Sequence, residues 1–304
     1  MKKLAVIDLG SNSIRMSIFE IYTDKTFRQT GSYRNMIKLS EGMTDDMCLK
    51  PEAQLRAVNS LLEYKQIMQK AGVTDLRAVA TAAVRKAKNG NEFIDTVKDA
   101  TDITIEVIDG ETEAELDCLA ISEAVGCKEG VICDIGGGST EFIAIRNGEM
   151  QKPAISIPIG SRWITETFFA NGENSLAISS SEEYIANRIS QLSWLDKMKG
   201  APIIGIGGTL RALAKCHMQD STKAPISCHE ISATEIDCLF NSIANTPLPD
   251  RNSLPGIGVE RADIILGGLL PLMELKKVLS SPKLIVADVG VREGILFDYI
   301  KKAE

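Results

Sequence analysis

AVIDLGSNSIRMSI at residues 5–18 and VICDIGGGSTEFIA at residues 131–144 are two versions of one pattern. In each, an apolar run with β-branched residues reaches an aspartate, passes through glycine and small polar residues, and resumes as a second apolar stretch. Setting Asp8 on Asp134 aligns Gly10 with Gly136, Ser13 with Ser139 and Arg15 with Glu141. Leu4 to Ile7 and Val131 to Cys133 read as strands, and Arg15 to Ile21 alternates as a returning strand. The glycines permit a tight turn with exposed backbone N–H groups.

The 126-residue offset between Asp8 and Asp134 recurs downstream, where residues 78–85, AVATAAVR, fall on residues 204–211 and Arg85 meets Arg211. A third pair needs a longer offset. VIDGETEAEL at 107–116 matches VADVGVREGIL at 286–296 through G-x-x-E-[AG]-x-L, so that Gly110 meets Gly290 and Glu113 meets Glu293. The second half therefore carries an insertion of about 54 residues, which loop-closure entropy tolerates. Three strand-then-glycine motifs in the same order point to duplication rather than to unrelated hairpin bends.

Helical periodicity appears after the strands. Pro51 to Gly72 places Leu55, Val58, Leu61, Leu62, Ile67 and Met68 on an expected apolar face, with Gly72 as its cap. Glu111 to Val125, Ser180 to Lys199, Thr234 to Ala244 and Asp263 to Leu279 are further expected helices, and Thr246 to Gly258 reads as a loop. Sheet plus helices, twice, predicts an α/β chain of two similar domains, residues 1–126 and 127–304, with the last helix free to pack back on the first.

The 304 residues suffice for two cores, with 44% hydrophobic and 25% charged residues. Aromatics are 5% and the net charge is −7, which argues against a nucleic-acid partner. The apolar run after Lys2 and Lys3 stops at Asp8, too short for a signal peptide, and Ile264 to Met273 is too short and too broken for a membrane span. The expectation is a cytoplasmic protein without a membrane partner. Seven cysteines without a CxxC pair read as reduced thiols, and two histidines make a zinc site improbable.

Two glycine-rich turns set against each other across a cleft would offer amide donors to an anion. Ser11, Asn12 and Ser13 in the first turn, and Gly136, Gly137, Gly138 and Ser139 in the second, are the candidate phosphate binders, with Gly207, Gly208 and Thr209 after the later strand. Arg15 and Arg85 add cations for a polyanion that the acidic chain would otherwise repel. Asp8, Asp134 and Glu141 would hold Mg²⁺ or Mn²⁺ beside the phosphates, because clustered carboxylates need a hard cation there. Asp8 and Asp134 also suit turn capping, and Glu113 suits a solvated helix start.

DLGSNSIR, ATAAVR, IDGETEAEL, DIGGGSTEF, GIGGTLRAL and VGVREGIL, in this order, resemble the exopolyphosphatase / guanosine pentaphosphate phosphohydrolase family. The likeness runs essentially end to end. It implies two duplicated actin-like (RNase H-like) domains with an active-site cleft between them. It makes Glu113 the catalytic carboxylate that positions water, Asp134 and Glu141 metal-linked acids, Gly136 to Ser139 and Gly207 to Thr209 phosphate-binding backbone, and Arg85 a phosphate-contacting arginine. Arg15 matches an arginine found in part of the family. The chain stops soon after VREGIL, so the added C-terminal helical domains of longer members are not expected. The implied activity is release of terminal phosphate from inorganic polyphosphate, with guanosine pentaphosphate as the alternative substrate and a homodimer as the one protein partner considered. A small-molecule kinase and a polyphosphate- or alarmone-binding sensor are the readings from other classes.

Overall fold

The computed structural model describes residues 1–43, 46–219, 226 and 228–302. The chain forms two compact units. The first comprises Met1–Leu119 and Val291–Glu304, and the second Ala120–Gly290. The repeat alone puts the break at residue 126; the observed division falls a few residues earlier and assigns the last segment to the first unit.

The first unit runs β1 (Lys2–Leu9), β2 (Ser13–Ile21), β3 (Phe27–Met36), α1 (Pro51–Ala71), β4 (Asp75–Ala80), α2 (Ala82–Lys86), α3 (Gly90–Thr101), β5 (Glu106–Val107) and the start of α4 (Gly110–Ala124). Its sheet has the order β3-β2-β1-β4-β5. The first three strands are antiparallel, and β4 and β5 continue the sheet in parallel with β1.

The second unit runs β6 (Gly130–Ile135), β7 (Thr140–Arg146), β8 (Glu149–Ile157), α5 (Ser161–Phe168), α6 (Ser175–Ile189), β9 (Ile203–Ile206), α7 (Gly207–His217), β10 (His229–Ser232), α8 (Ala233–Asn245), α9 (Val259–Ala262), α10 (Ile265–Leu279) and β11 (Lys283–Val286). Short 3-10 turns cover Ser193–Met198 and Leu248–Ser253. The sheet order is β10-β11-β9-β6-β7-β8. Read outward from β6, the order β8-β7-β6-β9-β11 repeats the first sheet. The insertion supplies α8 to α10 and the added edge strand β10, antiparallel to β11.

The duplication extends to hairpin register. Asp8 lies opposite Arg15, and Asp134 opposite Glu141. The parallel neighbour departs from the sequence alignment by one residue, because Asp8 pairs with Val79 but Asp134 with Ile206. Thr81 stands between β4 and α2, whereas α7 follows β9 directly. The turn length therefore differs between the halves.

α11 (Val291–Lys302) completes the first unit. Val291, Ile295 and Leu296 bury themselves against Leu4, Val6, Phe19 and Val79. Full burial of such a side chain contributes roughly 1.5–3 kcal/mol, which explains why this helix joins the first sheet. A Cβ on Gly294 would lie 2.1 Å from the Leu116 carbonyl oxygen, so only glycine admits α11 this close to α4.

Two helix expectations need correction. Ser180–Lys199 is not one helix. Asn174 caps α6 by accepting from the Ala177 N–H, α6 stops at Ile189, and a separate 3-10 turn buries Leu195 and Met198. On α1, Leu55 is 61% exposed and Leu62 38%, while Ala53, Ala57, Leu61, Tyr64 and Met68 form the buried face. Small residues and a tyrosine set that face, and a count of large aliphatics alone shifts it. The first half of α10, Ile265 to Leu272, is apolar and buried, and its Gly267 and Gly268 allow close approach to Thr165 and Thr209. Among the described residues, no helix is long and apolar enough to cross a membrane.

Candidate active site

In the second unit the turn after β6 is held from one side. The Gly136 carbonyl accepts from the Ser161 N–H at 2.9 Å, and the Gly137 carbonyl from Arg162 and Trp163 N–H at 2.9 and 3.1 Å. The first N–H groups of α5, which a helix leaves without internal partners, are thus used to support the loop. In a planar trans peptide the next N–H points opposite to the carbonyl. The N–H groups of Gly137 and Gly138 therefore turn away from α5, side by side. Gly160 makes this support possible, since a Cβ there would sit 2.4 Å from the Ser139 nitrogen and 2.5 Å from the Gly137 carbonyl carbon.

Behind the loop lies a buried acid. Glu141 is 2% exposed, and its Oε1 accepts from the Ser139 hydroxyl at 2.7 Å and the Ser156 hydroxyl at 2.6 Å. Ser139 is therefore engaged with Glu141 through its side chain. Burial first, then the charges of Asp134 and Glu141, pushes the Cys133 thiol well above its ordinary range, which keeps it protonated and unreactive.

The start of α7 borders the same aspartate. Gly207 has φ +90°, and a Cβ there would lie 2.6 Å from Asp134 Oδ1. α7 opens without a side-chain cap, so the positive end of its dipole is not offset by a capping oxygen. The Arg261 guanidinium lies over Gly208, whose hydrogen leaves it room. Thr209 is 1% exposed, and among the described residues its Oγ1 has no hydrogen-bond partner. A buried hydroxyl of this kind is costly unless a ligand or water completes it.

In the first unit the corresponding turn is held by the segment after β3. The Ser11 carbonyl accepts from the Ser40 N–H at 3.0 Å, and the Asn12 carbonyl from Ile37 and Lys38 N–H at 3.1 and 2.9 Å. By the same planarity, the N–H groups of Asn12 and Ser13 turn away from that segment. Gly10 N–H to Ser13 carbonyl, 3.2 Å, closes this turn as Gly136 to Ser139, 3.0 Å, closes the other. Arg15 stands on β2 opposite Asp8, an opposite-charge cross-strand pair.

Glu113 lies in the first turn of α4 and is 6% exposed. Asp109 caps this helix by accepting from the Thr112 N–H at 2.7 Å, the main reason its carboxyl is held below the usual range. Arg85, in the last turn of α2, places Nη1 3.0 Å from Glu113 Oε2 and 2.8 Å from the Ile108 carbonyl oxygen. The two residues are distant in sequence, and their pairing was not an expectation. Arg211, the repeat counterpart, pairs instead with Asp288 Oδ1 at 2.6 Å, and Asp288 Oδ2 accepts from the Ile226 N–H at 3.3 Å.

The donor chemistry bears on the expected cation. Among the described residues, no three His, Cys, Asp or Glu side chains are placed to form a metal cage. Mg²⁺ needs only one or two carboxylates, with water and substrate oxygens completing its shell. Asp134 and Glu141, opposed on neighbouring strands, fit that demand. Asp8 faces an arginine and fits it less well.

Sequence reading missed four contributors, Arg162, Arg261, Gly160 and Ser156. Arg162 is 5% and Arg261 9% exposed, both in the second unit, and Arg162 lies near Glu166 and Asp263 at 3.6 and 3.7 Å. For Arg261 the signal available was the pair of acids and arginine in VERADIILGG, charges set immediately before an apolar run.

Comparison with known proteins adds independent findings. The Ppx/GppA phosphatase family matches residues 17–303. A bifunctional 3-dehydroquinate synthase/phosphatase of Fusobacterium nucleatum is 32% identical over 98% of this chain, which spans 46% of that longer protein. Exopolyphosphatase 1 of Mycobacterium leprae is 26% identical over 97% of this chain and 88% of its own. Among solved structures, the Ppx/GppA family member of Aquifex aeolicus aligns with TM-score 0.82 and 28% identity, covering 100% and 99% of the two chains. An exopolyphosphatase from Cytophaga hutchinsonii aligns with TM-score 0.90 at 24% identity over 99% and 98%, a likeness of fold.

Proposed function

The chain belongs to the Ppx/GppA phosphatase family, and on that premise we propose that it hydrolyses the terminal phosphoanhydride bond of inorganic polyphosphate by attack of water. The observation that carries this reading is Glu113, a carboxylate buried at a helix start and held by a guanidinium. Its task is to accept a hydrogen bond, then a proton, from the attacking water, which fixes the line of attack. Phosphoryl transfer passes through a loose transition state, so positioning and charge neutralisation supply most of the acceleration.

The loops supply the second part. The N–H groups of Gly137 and Gly138, the start of α7 and Arg261 are donors for phosphate oxygens. Asn12 and Ser13 N–H, with Arg15, are the corresponding donors of the first unit. The Thr209 hydroxyl supports a ligand here because it is buried and lacks a partner among the described residues. Mg²⁺ or Mn²⁺ held by Asp134 and Glu141 would neutralise charge on the transferred group.

The test is phosphate release from polyphosphates of several lengths, guanosine pentaphosphate, ATP and pyrophosphate, each with a divalent cation and with chelator. The expected result is turnover of polyphosphate, abolished by chelator and restored by Mg²⁺ or Mn²⁺. Faster turnover of guanosine pentaphosphate would move the assignment to the alarmone. Full activity in chelator would remove the cation.

A further inference from the structure

We propose that Arg85 is a positioning residue, acting on turnover through Glu113 rather than on substrate affinity. The inference rests on the role given to Glu113 above. A free arginine clamp for phosphate should present its guanidinium to solvent or to an anion site. Arg85 instead spends Nη1 on two acceptors of its own unit, Glu113 Oε2 at 3.0 Å and the Ile108 carbonyl at 2.8 Å. Its side chain is 20% exposed and that of Glu113 8%. The Ile108 N–H in turn donates to the Ala80 carbonyl at 3.1 Å. The guanidinium is therefore braced against the end of β4, on backbone that the sheet already fixes.

A carboxylate oxygen held by a charged nitrogen that is itself tied to fixed backbone loses much of its freedom to swing. A glutamate has three rotatable side-chain bonds, and burial alone does not select one orientation of its oxygens. The brace does. Water can then approach a carboxylate whose lone pairs already point in one direction, and misplacement of a reacting group by about 1 Å can lower the rate by about 10²-fold. The repeat counterpart is informative. Arg211 also turns to the position that the third repeat sets on Ile108, but there it meets the Asp288 carboxylate and not a backbone carbonyl. The two arginines thus reach equivalent positions with different partners, and Arg85 alone combines a backbone acceptor with the Glu113 carboxylate.

The experiment compares Arg85→Met, Arg85→Lys, Glu113→Gln and the double variant Arg85→Met/Glu113→Gln, with thermal melts to verify folding. Arg85→Met is expected to lower kcat by about 10²-fold with KM for polyphosphate little changed. Arg85→Lys, which keeps the charge but not the fork, should recover part of kcat. The double variant should turn over no more slowly than Glu113→Gln, and should bind polyphosphate with the same Kd, a readout that survives even if turnover is too slow to measure. A raised KM with kcat intact, a weaker Kd, or fully additive losses would overturn the proposal while leaving Glu113 in its role. Wild-type turnover in Glu113→Gln would overturn the functional reading and this proposal with it.

Discussion

The two hairpins share a backbone and differ in charge. Opposite Asp8 stands Arg15, and opposite Asp134 stands Glu141. The first hairpin balances its acid locally. The second places two carboxylates on neighbouring strands, an arrangement that is unfavourable unless hydrogen bonds or a cation answer it. Ser139 and Ser156 answer part of it by donating to Glu141. The support differs too. An irregular segment, residues 37–40, holds the first loop, whereas a helix start holds the second. Duplication has preserved what the backbone does, namely a tight turn with two N–H groups facing one way, and has left the side chains free to divide the chemistry.

The sharpest way to break this comparison is to exchange the two glutamates of the repeated G-x-x-E motif for glutamine. Glu113→Gln should lower kcat by about 10²–10⁴-fold, the range of a general-base contribution. Glu293→Gln, whose carboxylate lies near Arg292 at 3.7 Å, should keep kcat within about threefold of the parent. Equal losses in steady-state turnover would mean that both copies of the motif, on α4 and on α11, share the task.

The support of the second loop is next in size. In Gly160→Ala the new methyl group meets the Ser139 nitrogen and Gly137, so the loop or α5 must shift. Overpacking of this kind destabilises by roughly 1–3 kcal/mol, and kcat/KM should fall along with the melting temperature. A variant with unchanged melting and activity would show that the loop tolerates movement.

Arg211→Met tests the structural arginine of the pair. It leaves Asp288 without its guanidinium, and with side-chain exposures of 13% and 27% the pair is partly shielded. Loss of about 1–3 kcal/mol is expected from chemical denaturation, with the KM for polyphosphate unchanged. A raised KM with normal stability would instead give Arg211 a role at the substrate.

The smallest effect belongs to the edge that only the second unit has. His229, the first residue of β10, places Nε2 2.8 Å from His217 Nδ1, and Glu235 Oε1 lies 3.4 Å from His217 Nε2. Burial, then the nearby His217, lowers the pKa of His229 below 6.5, against a smaller opposing pull from Glu235. The unfolded chain therefore takes the proton first as pH falls. This contribution to stability is complete above the unfolded pKa and is lost as pH drops through the window beneath it. Melting temperature should decline as pH falls below about 6.5, with a shallower slope in His229→Gln. Identical slopes would remove His229 from the pH response.

Much of the architecture was legible because it is written in local pattern. Apolar runs ending in Asp-x-Gly, the acidic first turn of α4 and the cap at Gly72 all act within a few residues. There, φ/ψ sterics and side-chain periodicity decide the outcome before any distant contact forms. The register identity of Asp8/Arg15 and Asp134/Glu141 follows from equal turn lengths, so the repeat could be read from spacing alone. Ser180–Lys199 failed as one helix because the same apolar count suits a helix and the 3-10 turn after it, and the cap that begins α6 lies before the periodic stretch.

What the sequence by itself determined was therefore the unit of repetition, the class of fold and the loops that carry backbone donors, all consequences of short-range geometry. Tertiary structure alone decided that Arg85 meets Glu113, that Arg261 covers Gly208, that Gly160 admits α5 beneath the turn after β6 and that α11 closes the first sheet. These pairs are separated by many residues, and their meeting depends on strand order and on which surface buries most apolar area, quantities no single segment contains.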